Sequence, residues 1–364
     1  TLSGRKRSVT ERTRYNAVTV TRRSLLFSGM APAPRRDALD QAVRLVGARV
    51  TAGEVAAAVL HVRSGKQVLN QAFGAARAPR AVFLLASITK PMTAMAVMIL
   101  ADRKEISLDD RVRKFIPEFQ GGERNRVTLR HLLTHTSGLP DMLPENEALR
   151  KRHAPLKEFV AGACRTPLLF SPGAKVQYQS MGVLLAGEIV ERVARRPLRD
   201  FLRAQVFERL GMPDTSLGLG GRKIPDTMQC QVDQHTDWDW NSAYWRDLGA
   251  PWGGAHSTAS DVSRLLRYFV HPDPPVLKAE TAAAMIANQN QGLNLPWGLG
   301  WMSGEGKLAK GSSSRTFGHN GSTGTIAWLD PAKDLSLVLL TTKPAAVSQK
   351  TLLGPVSDVV ASAG

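Results

Sequence analysis

The stretch that most constrains this chain is 81–100, AVFLLASITKPMTAMAVMIL. An apolar, β-compatible run at 82–85 enters a short turn, and a long segment rich in small residues and Met follows, predicting a helix buried on most sides. Ser87 therefore falls where a strand hands over to a helix. Pro91 supports the helix start, since a residue without an N–H is tolerated in the first turn, where backbone donors have no internal partner. Lys90, three residues after Ser87, shares its helical face. A hydroxyl and an amine are thus set side by side at a helix N-terminus, where backbone N–H groups favour developing negative charge.

The Ser-x-x-Lys spacing alone decides little, because about one match is expected by chance in a chain this long. Ser3 and Lys6 form such a match, in a basic polar tail with neither a strand before it nor a helix after it. At 364 residues, 43% hydrophobic and 22% charged, the chain has the composition of a soluble globular protein and ample length to bury a core. Two cysteines, Cys164 and Cys230, make no disulfide scaffold and read as buried thiols. No apolar run approaches the ~20 residues that span a bilayer, so no stable membrane insertion is expected. The net charge of +17 invites a nucleic-acid partner, yet nine Arg and Lys against the single acid Glu11 precede Asp37 and supply nearly half of it. The rest is scattered without a helix-turn-helix, zinc or RNP pattern, so no nucleic-acid partner is expected.

Residues 1–36 read as a basic, disordered tail or leader. Within it Arg22 and Arg23, followed by Ser-Leu-Leu-Phe, resemble a twin-arginine export signal. Ser28, Gly29 and two prolines break the apolar stretch behind them, which favours a cytoplasmic location over export. Apolar spacing predicts a helix at 37–50, and 55–62 with 67–73 read as a hairpin of two largely buried strands. Residues 106–110 lead into a predicted helix carrying Val112, Phe115 and Ile116 and ending at Pro117, and 127–209 is mainly helical. A further helix is expected at 261–270, then strands at 298–302, 314–318, 325–329 and 335–342, and a closing helix. Strands at both ends with helices between them predict an α/β (α+β) fold with one sheet assembled from both termini. The expected organisation is a single domain over 37–364, with a sheet region at 37–105 and 250–364 and an inserted helical lobe at 106–249.

Acyl transfer by a serine needs a base, a group that holds the base in its working state, and an oxyanion site. Of the four tyrosines only Tyr178 begins a Tyr-x-Ser/Asn triplet, completed by Ser180, and it opens an amphipathic helix at 181–193. His319 is the only His or Lys followed by x-Gly, here Gly321, and flanking glycines let a strand backbone approach a ligand closely. The Ser322 N–H is then a candidate oxyanion donor.

In order and spacing, Ser87/Lys90, Tyr178/Ser180 and His319/Gly321 resemble the three active-site motifs of the class C β-lactamase-like serine hydrolases. That superfamily includes D-alanyl-D-alanine peptidases, D-amino-acid amidases and the family VIII carboxylesterases. The flanking text is similar too: TLRHLLTHTSGLP at 128–140, Pro172-Gly173, Gly253-Gly254 with STASD at 257–261, and WGLGW at 297–301. The resemblance covers roughly 38–360 and implies a β-lactamase/transpeptidase-like fold, an antiparallel sheet flanked by helices, with neither cofactor nor metal. It implies that Ser87 is the acylated nucleophile and that Lys90, kept partly neutral by burial, relays its proton. Tyr178 would be the general base, Ser87 and Ser322 N–H groups the oxyanion hole, and Ser180, His319 and Gly321 substrate-side residues.

Two departures bear on substrate. The second motif ends in Ser180 where Asn is usual, losing an amide donor. The third carries His319-Asn320-Gly321 in place of Lys-Thr-Gly, so no permanent cation meets a substrate carboxylate. Both favour a small, neutral carboxylic ester as substrate over a β-lactam, with D-amino-acid amidase or D,D-peptidase, acyltransferase and non-catalytic binding as the rival readings. His131 and His135 stand four apart, but no Glu follows His131 and a helix end adjoins them, so no metal site is expected. Trp238, Trp240, Trp245 and Trp252 either wall an acyl pocket or pack a long connection.

Overall fold

The computed structural model describes residues 36–364, and the tail with Arg22 and Arg23 lies outside the described residues. Helix α1 (Arg36–Thr51) leads into the hairpin of β1 (Ala57–Ser64) and β2 (Gln67–Gly74). Strand β3 (Phe83–Leu84) then enters a 3-10 turn at Ala86–Ile88, continued by α2 (Thr89–Asp102). Helices α3 (Leu129–Leu133), α4 (Asn146–Lys151), α5 (Leu156–Arg165), α6 (Met181–Ala194) and α7 (Leu198–Leu202) follow. After β4 (Ser216–Leu217) come α8 (Ala243–Leu248), β5 (Ala255–Ser257), α9 (Ala259–Tyr268) and α10 (Ala279–Ile286). Strands β6 (Met302–Ser303), β7 (Phe317–Gly321), β8 (Thr325–Asp330) and β9 (Leu335–Thr341) precede the closing helices α11 (Ala345–Ser348) and α12 (Gly354–Ala361).

The main sheet has the order β2-β1-β9-β8-β7-β6, antiparallel throughout, so the two chain ends meet where β1 pairs with β9 and Leu60 stands opposite Leu339. This is the sheet expected from the distribution of strand signals. Its faces bury different sets of side chains. Val59, Ala327 and Val338 join α2, α6 and α9 in one core, while Leu60, Trp328 and Leu337 pack on the other face with α1 and α12. A small sheet, β3-β5-β4, sits next to the turn that carries Ser87.

Three expectations need correction. Only β1 is largely buried; β2 is an edge strand with a neighbour on one side, and Val68 is 49% exposed. Val112 opens a single 3-10 turn (Val112–Lys114) that Phe115 and Ile116 follow, because three apolar residues before a proline fit one turn as well as a helix. The strand expected at 298–302 shrinks to β6. Gly300 ahead of it has φ +88°, and a Cβ there would lie 2.5 Å from the Ala94 side chain, so this backbone serves as a tight packing loop against α2. Cys164 and Cys230 are both free and buried. Among the described residues no helix is long and apolar enough to cross a membrane.

Candidate active site

Ser87 sits in the 3-10 turn between β3 and α2, half-buried among buried neighbours. The residue before it, Ala86, takes φ +48°, a conformation that L side chains avoid, so the chain turns sharply as it presents the hydroxyl. The turn is stitched from several sides. Thr89 Oγ1 donates to Ala86 O (2.7 Å) and accepts from Ala255 N (3.0 Å), while Thr323 Oγ1 and Thr325 Oγ1 donate to Leu84 O and Leu85 O at 2.7 and 2.9 Å. The end of β7 is pressed against the same turn: a Cβ on Gly321 would lie 2.2 Å from Leu85 O. That close approach sets Ser322, which is exposed, just past the strand end.

Lys90 is 1% exposed, and its Nζ lies 3.0 Å from Ser87 Oγ, 3.0 Å from Trp252 O and 4.7 Å from the centre of the Tyr178 ring. Burial pulls its pKa from 10.5 down to about 7, with the Asp141 carboxylate acting in the opposite sense. A neutral amine has one lone pair and two hydrogens, which suits it to accept from the serine hydroxyl while donating to the Trp252 carbonyl.

Tyr178 stands in the loop that leads into α6, three residues ahead of Met181, where the sequence placed the helix start. Burial raises its pKa well above the usual phenol value, outweighing an interaction with Ser87 that favours the phenolate. The 128–140 stretch is the clamp on this loop. His135 O accepts from Gln177 N at 2.9 Å and His135 Nδ1 from Gln179 N at 3.3 Å, while Ser137 Oγ donates to Gln179 Oε1 at 2.5 Å. The His135 ring packs against Tyr178 with centroids 4.8 Å apart, and Trp297 packs against both rings, 5.9 Å from Tyr178 and 4.6 Å from His135. His131 Nδ1 accepts from Thr128 N (3.2 Å), so both histidines of the His-x-x-x-His spacing spend Nδ1 on the backbone.

The remaining sequence candidates divide. His319 is fully buried beneath Tyr178, ring centroids 6.0 Å apart, with Nδ1 2.6 Å from Asn320 O. Burial, helped by the nearby Lys90, lowers its pKa to about 3, which keeps the ring neutral. Ser180 is 1% exposed, and its hydroxyl donates to Asp141 Oδ1 at 2.6 Å. Trp245 and Trp252 pack on each other in the core with centroids 6.2 Å apart, which settles those two as packing residues, although the Trp252 carbonyl also holds Lys90. The sequence reading missed Asp141, the Trp252 carbonyl that holds Lys90, and the clamp made by His135 and Ser137. Asp141 could have been found as the acid directly following the Thr-Ser-Gly-Leu-Pro turn.

The profile of the family described as "Beta-lactamase" matches residues 40–354. Esterase EstB of Burkholderia gladioli is 35% identical over a stretch that covers 50% of this chain and 50% of that protein. The chain thus spans about half the length of that relative. Among solved structures, the chain is similar to EstCE1, a hydrolase with promiscuous acyltransferase activity, at 20% identity and a TM-score of 0.72, covering 89% of this chain and 99% of that one. D-amino acid amidase from Ochrobactrum anthropi SV3 is similar at 20% identity and a TM-score of 0.69, covering 87% of this chain and 97% of that one. These structural likenesses establish the β-lactamase/transpeptidase-like fold.

Proposed function

Because the chain belongs to the Beta-lactamase family of serine hydrolases, we propose that it cleaves small carboxylic esters through an acyl-enzyme on Ser87. The observation that carries the proposal is a serine hydroxyl 3.0 Å from a buried amine whose pKa is drawn to about 7. A neutral Lys90 takes the Ser87 proton as Oγ attacks the ester carbonyl. The resulting oxyanion is received by the N–H groups of Ser87 and Ser322, an assignment supported by the close approach of Gly321 to Leu85. Tyr178, whose raised pKa keeps the phenol protonated, donates to the departing alkoxide and is recharged from the Lys90 ammonium. Water then attacks the acyl-enzyme with the proton transfers reversed. This exchanges the roles implied by the family resemblance, since the amine is the group whose basicity matches neutral pH.

A neutral acyl group is favoured because the third motif offers no cation for a carboxylate. His319 is neutral and buried, and the charge nearest the second motif is the Asp141 carboxylate, which repels an anionic antibiotic. Asp141 also supports a second reading, hydrolysis of D-amino-acid amides, because an exposed carboxylate bonded to Ser180 and felt by Lys90 suits a substrate ammonium. The test is turnover of p-nitrophenyl acetate, butyrate and octanoate beside a chromogenic cephalosporin and D-alanine amide, for wild type and Ser87→Ala, with intact mass after short incubation. Ester turnover with a Ser87-dependent acyl adduct is expected. Cephalosporin turnover equal to that of the esters, or no adduct with any substrate, would sink the proposal.

A further inference from the structure

Well away from Ser87, the side chains that β1 turns towards α9 and the polar stripe of α9 enclose a cleft of about 550 Å³. His61 and Arg63 stand on the same face of β1, two residues apart. Along α9, Ser260, Ser263, Arg264 and Arg267 recur at intervals of three and four, a stripe beside the apolar Val262, Leu265 and Leu266 that fix the helix to the core. None of the residues lining this cleft belongs to the surroundings of Ser87 described above.

The cleft holds polar groups that the protein leaves unanswered. His61 is 6% exposed and stands opposite Asn70 on β2; neither ring nitrogen makes a well-formed hydrogen bond among the described residues, although the Asn70 side chain is near enough to favour the ring's proton. Asn70 gives its Nδ2 to Ser260 Oγ (3.1 Å) and leaves a buried Oδ1 without a well-formed bond. Unpaired buried polar atoms are uncommon in folded proteins and call for a ligand or water.

Like charges converge here as well. Arg264 is paired with Asp261 at 2.6 Å and Arg267 lies 3.7 Å from Asp334, whereas Arg63 gives its Nε to Gly65 O and has no carboxylate partner among the described residues. Arg63 and Arg267 repel each other, and Arg63 and Arg264 both act to keep His61 neutral, adding to its burial. Asp273 is the one acid among the lining residues, and His271 adds a further imidazole. Arg63, the one of the three guanidiniums without a carboxylate partner among the described residues, is opposed by Arg267 across the concavity; an anion entering there relieves that repulsion, and the planar forks match the oxygens of a phosphate. The volume suits a molecule larger than the bare ion.

We propose that this cleft is a second binding site, which takes the phosphate group of a small phosphorylated molecule on Arg63, Arg264 and Arg267 beside the His61 ring. The test is calorimetric titration of the intact protein with inorganic phosphate and with glucose 6-phosphate at low ionic strength, against sodium chloride of equal ionic strength. Saturable binding of either phosphate, weakened about tenfold or more in Arg63→Gln and abolished in Arg63→Gln/Arg267→Gln, is expected, with p-nitrophenyl ester turnover unchanged in Arg63→Gln. No saturable heat, or equal affinity in the double variant, overturns the proposal. Should the double variant not fold, the His61 ring resonances of the wild-type protein decide: they shift with phosphate and not with chloride, and unmoved signals overturn it. Retention on phosphatidylglycerol vesicles without binding of soluble phosphate also overturns it, in favour of a lipid surface.

Discussion

A lysine that is almost wholly buried with no carboxylate bonded to it gives up basicity, because the interior disfavours its charge more than water does. At Lys90 the pKa falls to about 7, so ester kcat/KM should rise with pH through that value as the amine loses its proton. Asp141 opposes the fall. Asp141→Asn should therefore move the midpoint of the acid limb to lower pH, and an unchanged or higher midpoint in pH-rate profiles would show that Nζ does not sense the carboxylate. The same shift has a stability sign. Between about 7 and the unfolded value of 10.5 the unfolded chain binds a proton that the folded one does not, so stability rises with pH across that window and Lys90 is a cost at neutral pH and below. Lys90→Met should abolish turnover yet raise the melting temperature at pH 7, an outcome that calorimetry and an ester assay check together. Ser87 and Lys90 were legible because three residues on one helix start fix their distance. Asp141 and the Trp252 carbonyl were not, because their contacts span 39 and 162 residues of chain that no local pattern links.

Elements with one strong periodicity were read within a few residues: α1, the β1–β2 hairpin, α2, α6, α9 and the β8–β9 pair. The failures share a cause. At 112–116 and 298–302 the run is short, and packing against a neighbouring element decides between turn, loop and strand. Packing also makes β7 more than a strand, since the end that carries Gly321 is pressed onto the residue before the Ser87 turn, with no room for a side chain. Gly321→Ala places a methyl carbon 2.2 Å from the Leu85 carbonyl oxygen, so strand and turn must separate. The separation opens the gap between the Ser87 and Ser322 N–H groups, and losing one oxyanion donor costs about 10²–10³ in kcat. Gly321→Ala should thus lower ester kcat about a hundredfold or more while far-ultraviolet circular dichroism stays native. Loss of the folded signal would mean that the contact is structural before it is catalytic.

The molecule as a whole is held by a sheet whose centre is assembled last in the sequence. β9 lies between β1 and β8, so the N-terminal hairpin has no partner on its inner side until about residue 335 arrives. The sheet's two faces then need different covers. The face towards α2, α6 and α9 builds the Ser87 site, and the opposite face is closed by α1 from the start of the described chain and α12 from its end. On that second face Leu60, Val62, Ile326, Trp328, Leu337 and Leu339 are each no more than 2% exposed. Burying each contributes about 1.5–3 kcal/mol, against a net stability of about 5–15 kcal/mol for a folded domain. A chain ending at Lys343 keeps every strand and every group placed around Ser87, but it loses α11, α12 and half the cover of this face, including Leu352, Leu353, Val356 and Val360. The truncated chain should not reach the native state: it should bind a hydrophobic dye, lose its near-ultraviolet circular dichroism and show no ester turnover. Native dichroism and turnover in that chain would mean that α1 alone suffices, and that the closing helices are dispensable to the sheet that carries the site.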